Sequence, residues 1–65
     1  MDKTYSRRLR KLRGKVSRQT VADAIGVTRS AIAMYEQGVR VPRDEIKVKL
    51  AKYFKTTVEA IFYAK

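Results

Sequence analysis

The side chains able to do chemistry in this 65-residue chain are its cations: sixteen Lys and Arg stand against six Asp and Glu, for a formal net charge of +10. Histidine and cysteine are both absent. Without them disulfides, thiolate chemistry, the common nucleophile–base pairs and most transition-metal sites cannot be built. The acids Asp23, Glu36, Asp44 and Glu45 fall at caps and on helix faces, with no paired arrangement for acid–base work. The expectation is therefore a binding protein, with no catalytic residues, no cofactor and no metal. An excess of cations this large costs self-repulsion and points to a polyanionic partner. Nucleic acid is the first candidate and an anionic membrane the second. The cations are also unevenly spread. Residues 3 to 22 contain no acid and hold eight of the sixteen basic residues, either as a phosphate-facing surface or as the solvated back of a first helix.

Positioning these charges falls to short helices. Gly14, Gly26, Gly38 and Pro42 punctuate the chain, and between them apolar residues recur at helical spacing. Tyr5, Leu9 and Leu12 make one face of a first helix, with Arg7, Arg8, Arg10 and Lys11 off it. Ser17 is a good N-cap for a second helix that turns Val21, Ala22 and Ile25 inward. Gly26 stands where a left-handed terminating residue is wanted. Thr28 caps a third helix, Thr28–Gln37, with Ile32 and Tyr35 inward, and Gly38 stops it. Asp44 and Glu45 sit where a fourth helix favours negative charge, ahead of Ile46, Leu50, Tyr53 and Phe54. Thr57 caps a last apolar stripe of Val58, Ile61 and Phe62. The prediction is a single all-α domain over residues 1–65, a compact bundle of five helices. No apolar run approaches the ~20 residues of a membrane span, and the polar stretch from Lys3 to Arg13 is unlike a signal peptide. A cytoplasmic, nucleoid-associated protein is expected.

Residues 17–37 carry the functional reading. Two capped helices flank a turn at Gly26-Val27. Ala22 lies where they should cross, and Val27 pins the turn to the core. Such a unit leaves the outer face of its second helix free to enter a groove. The run Val21-Ala22-Asp23, Ile25-Gly26-Val27, Arg29-Ser30, Ile32, Tyr35-Glu36-Gln37-Gly38 and Pro42 resembles the lambda repressor and Cro-like class of helix-turn-helix domains, small bacterial or phage regulators also called xenobiotic-response-element-like. The resemblance covers about residues 5 to 63.

That resemblance implies a fold, a partner and a set of roles. The fold is a lambda-repressor-like DNA-binding domain, and the partner is a double-stranded DNA operator read in the major groove. Base edges would be touched by Arg29 and Ser30, and one turn further along by Ala33 and Met34. Arg29 can pair with guanine O6 and N7, worth about 1–3 kcal/mol of discrimination, or else hold a phosphate. Ala33 and Met34 offer a thymine methyl only apolar contact, or serve as spacers. Phosphates would be held by Arg18, Gln19, Thr28, Gln37, Arg40 and Arg43, helped by helix N-termini. Arg13 and Glu36 match a structural ion pair tying the first helix to the recognition helix. The link between Arg13 and Val16 is shorter than usual for the class, so the first helix must end tightly. Two-fold dimers on half-sites about 34 Å apart are the standard solution for so small a reader. Ile61, Phe62 and Tyr63 are the candidate homodimer contact, with completion of the monomer core as the other role for Ile61 and Phe62. Transcriptional repression is the common outcome in the class. The alternative is an antitoxin-like or accessory module whose main partner is another protein, contacted through Met34, Tyr35 and the C-terminal residues. A membrane-surface role and a small-molecule substrate are not expected.

Overall fold

The computed structural model describes residues 4–64. The predicted domain spans residues 1–65, of which residues 1–3 and 65 lie outside the described part. Five helices follow in order: α1 (Thr4–Arg13), α2 (Arg18–Ile25), α3 (Arg29–Gln37), α4 (Asp44–Tyr53) and α5 (Glu59–Tyr63). No strand occurs among the described residues. No helix there is long and apolar enough to cross a membrane.

Local chemistry sets the helix ends. The Ser17 side chain accepts from the Thr20 N–H at 3.1 Å, and Thr28 Oγ1 accepts from the Ala31 N–H at 3.0 Å. Each supplies a partner for one of the first-turn N–H groups that a helix cannot bond internally. Thr57 Oγ1 does the same for Ala60 N–H at 3.0 Å, ahead of α5. That last segment winds with the wider π pitch instead of as an ordinary α-helix.

The stops are of two kinds. Gly26 and Gly38 are left-handed, at φ 77° and 74°, where a Cβ would be penalised. The stop of α4 carries no signal in the sequence. There Lys55 adopts φ 58°. The Thr56 N–H donates to Ala51 O at 2.9 Å and the Lys55 N–H to Lys52 O at 3.2 Å. This is the double bond pattern of a Schellman motif, with lysine where glycine is favoured.

The core gathers one stripe from every helix: Tyr5 and Leu9, Val21, Ala22 and Ile25, Ala31, Ile32 and Tyr35, Leu50 and Ala51, and Ile61. Val27, Ile46, Tyr53, Phe54, Val58 and Phe62 are partly buried against it. Two sequence expectations need correction. Leu12 belongs by periodicity to the Tyr5–Leu9 face, yet it is 40 % exposed. It lies in the last turn of α1, where the five-residue α5 leaves an open groove lined by Leu12, Thr56, Ala60 and Ile61. In α4 and at its C-cap, Ile46, Tyr53 and Phe54 are only half-buried, while Lys47 is buried. Its ammonium donates to Tyr63 Oη at 2.8 Å and lies 5.3 Å and 5.0 Å from the Phe62 and Tyr63 ring centres. The bond from Tyr63 holds that ammonium above the ordinary lysine range, against burial. A charge here is tolerated because hydroxyl, ring faces and Asp44 at 3.7 Å offset its desolvation.

The strained stop of α4 supplies a test. Lys55→Gly should stabilise the fold by about 1 kcal/mol, raising Tm by about 4–8 °C in thermal unfolding. Lys55→Val should lower it, since a β-branched residue fits the left-handed region worse.

Candidate nucleic-acid interface

The surface that α3 offers depends on which of its faces is left free. Successive residues turn by about 100°, so Arg29, Ala33 and Gln37 stack along one side with Ser30 and Met34 beside them. The opposite side, Ala31, Ile32, Tyr35 and Glu36, is buried. Arg29, Ser30 and Gln37 are exposed, while Ala33 and Met34 are half-buried at the edge of the same face. All four sequence-assigned base-contacting residues therefore lie on one surface. Its amino-terminal end carries the charge and hydrogen-bonding groups, and its second turn is apolar.

The orientation of α3 is held by a cluster around Glu36. Its side chain is 3 % exposed. Arg13 from α1 grips the carboxylate with two bonds, Nε to Oε2 at 2.6 Å and Nη2 to Oε1 at 3.0 Å. Arg18 from α2 adds Nε to Oε1 at 3.1 Å. Arg10 donates from Nη2 to the Glu36 carbonyl at 3.0 Å, placing a cation at the negative end of α3. Burial pushes the Glu36 carboxyl up, but the guanidinium bonds from Arg13 and Arg18 outweigh it and hold the group below the usual glutamate range. The same pair raises the Arg13 guanidinium above its ordinary value. Arg13 also donates from Nη1 to Val16 O at 2.7 Å. With Gly14 at φ 56°, this closes the short α1–α2 link tightly and still brings Arg13 to Glu36.

The residues assigned to phosphates fall into two groups. Gln37, Arg40 and Arg43 are exposed, with Arg40 in the α3–α4 loop and Arg43 at the N-cap position of α4. Arg18, Gln19 and Thr28 already have partners. Arg18 is committed to Glu36 through Nε, Gln19 Nε2 donates to Asp23 at 2.8 Å, and the Thr28 hydroxyl caps α3. The guanidinium offers five donors, so the bond through Nε does not use up the hydrogen-bonding groups of Arg18. Its pairing with Glu36 was not legible in the sequence, because it depends on how α2 lies against α3. Arg10 was also missed as a partner of α3. Its place three residues before Arg13, on adjoining positions of one helix face, was the available signal.

The candidate dimer contact divides. Ile61 is 1 % exposed and belongs to the monomer core, so its side chain is not available to a partner. Phe62 is half-buried, its ring 5.6 Å from that of Tyr5. Tyr63 is 61 % exposed, although its hydroxyl is taken by Lys47. The reason is size: a domain this small needs nearly every apolar residue for its own core.

A sequence model of the helix-turn-helix family, the lambda repressor and Cro-like kind, matches residues 7–61. Neither the curated proteins nor the solved structures contain a match to the chain.

The Glu36 cluster predicts a stability cost with a defined pH sign. Glu36→Ala leaves cations facing a buried site and should cost about 3–5 kcal/mol in denaturant unfolding. Because the folded-state carboxyl titrates below the unfolded one, its contribution is complete above the ordinary glutamate range. It is lost as the pH falls through the depressed value. An acid-unfolding curve for Glu36→Gln should lack that component.

Proposed function

The chain belongs to the lambda repressor and Cro-like helix-turn-helix family of DNA-binding proteins, and from that premise we propose that it is a sequence-specific repressor that binds its operator as a pair of copies. The observation that carries this reading is the free face of α3. Arg29 and Ser30 lead it, both exposed, in the first turn after the Thr28 cap. An arginine and a hydroxyl at the leading end of a groove-entering helix can read base edges, whereas the apolar Ala33 and Met34 add contact to thymine methyls.

Phosphate contacts come from both sides of that helix. Arg18 and Gln19 begin α2, Thr28 begins α3, and Gln37, Arg40 and Arg43 follow it. The exposed N-termini of α2 and α3 add backbone N–H donors and a favourable dipole. With Arg13 and Glu36 serving structure, the reading surface is narrow, and a second copy on an adjacent half-site supplies the missing specificity. Of the three residues assigned to the copy–copy contact, Tyr63 is the exposed one, with Phe62 at its margin. Occlusion of a promoter by the bound pair is the regulatory step.

Selection of bound duplexes from a random pool tests the reading. A shared motif repeated at about 10 base pairs, one helical turn, is the expected result; recovery of unrelated sequences would overturn operator specificity. Two variants separate the roles of the arginines. Arg29→Ala should relax the preference at one base pair, costing about 1–3 kcal/mol on the selected site and little on random duplex. Arg40→Ala should weaken all sequences alike and reduce the log–log salt slope by about 1.

A further inference from the structure

Arg40 sits in the middle of a connection that is exposed on both sides of it but buried at Pro42. Residues 38–43 join α3 to α4, with Val39 66 % and Val41 47 % exposed. The two ends of this loop are secured by helix-end bonds. The Gly38 and Val39 N–H groups donate back to Tyr35 O and Met34 O, and the Lys47 N–H donates to Arg43 O. The middle is reached from elsewhere. Tyr5, in the first turn of α1, donates its hydroxyl to the Arg40 carbonyl at 3.1 Å across 35 residues of sequence.

The hydroxyl is well aimed. The Tyr5 residue is only 6 % exposed, and its ring packs at 5.6 Å, tilted by 31°, against Phe62 of α5. The Lys47 ammonium lies 5.3 Å from the centre of the Phe62 ring. A buried ring loses its rotational freedom when the core forms, so presenting the hydroxyl to Arg40 costs no further ordering on binding. A carbonyl held in place fixes the peptide plane between Arg40 and Val41. That limits the directions in which the exposed Arg40 side chain can leave the loop.

We propose that Tyr5 is a positioning residue for DNA binding: its hydroxyl pre-orders the α3–α4 loop so that Arg40 meets a phosphate with no ordering cost at the moment of contact. The proposal rests on the reading of Arg40 as a phosphate contact. Tyr5 itself touches no DNA. Its role is one that helical periodicity hides, because the same residue also fills the core.

The experiment is a double-mutant cycle on the full chain, with a duplex of the selected sequence and an unrelated duplex at several salt concentrations. Tyr5→Phe keeps the ring and removes the hydroxyl. It should weaken both duplexes by about three- to tenfold, the worth of one hydrogen bond, and make the salt slope shallower. In the Arg40→Ala background the same change should do less than about twofold, because the group it positions has gone. Backbone 15N relaxation of the free protein should show lowered order parameters at Val39–Val41 in Tyr5→Phe, with α3 unchanged. Three results overturn the proposal. In the first, Tyr5→Phe binds like the parent while Arg40→Ala is weak. In the second, Tyr5→Phe costs as much in the Arg40→Ala background as in the parent, marking a general loss of structure. In the third, Arg40→Ala binds like the parent on every duplex, which refutes the phosphate role of Arg40 itself and is thereby told apart from a failure of Tyr5.

Discussion

One buried carboxylate organises this molecule. Glu36 stands near the end of α3 and receives Arg13 from α1 and Arg18 from α2, while Arg10 holds its carbonyl. A lone buried charge would be expensive, and so would several arginines crowded without an anion. Together they satisfy one another, and among the described residues no buried side-chain polar atom lacks a partner. The cluster also solves a mechanical problem. A helix entering a groove must keep its pitch against the rest of the domain, and bidentate guanidinium–carboxylate bonds are directional in a way that apolar packing is not.

The cluster also bears on the charge balance. Three arginines engaged with α3 are structural first, which reduces the cations free for a polyanion. Those outside it separate into groups with different surroundings. Arg29, Arg40 and Arg43 stand exposed on α3 and the loop that follows. Lys47 is enclosed by the aromatic end of the chain. Arg8 donates to the carbonyls of Ile61 and Ala64, each at 2.9 Å. Two cations thus fasten the five-residue α5 and the residue after it to α1 and α4. Net charge alone would have assigned all of these to a partner.

Much of the fold was legible. Ser17, Thr28 and Thr57 mark helix starts because their hydroxyls accept local backbone bonds, and Gly26 and Gly38 mark stops because only glycine enters the left-handed region freely. The face of α3 was readable too, since Ile32 and Tyr35 define its inner side and leave Arg29 and Ser30 outside. Less was readable at the end of the chain. Leu12 followed the helical period and still faces solvent, because α5 is too short to cover it. Ile61 looked equally suited to a partner or to the core, and the choice turned on whether anything else could fill that space. Lys55 halts α4 without any of the usual residues, because the tertiary path of the chain demands a reversal there.

What the sequence by itself determined is the set of local choices: five helices, the hydroxyl caps at Ser17, Thr28 and Thr57, the glycine stops at Gly26 and Gly38, the turn at Gly26-Val27 and the outward face of α3. Each depends on residues within about one or two helical turns, and the physics of such contacts is written in their spacing. Beyond Arg13, whose pairing with Glu36 the sequence already suggested, tertiary structure alone decided which cations belong to the fold and which to the surface. Arg10 and Arg18 are alike in type and exposed by pattern, yet both converge on α3 beside Arg13. Tyr5 reads as a core residue and also holds the loop of Arg40. These assignments depend on distances between residues 18 to 35 positions apart in the chain. Only the packing of one helix against another brings such residues together.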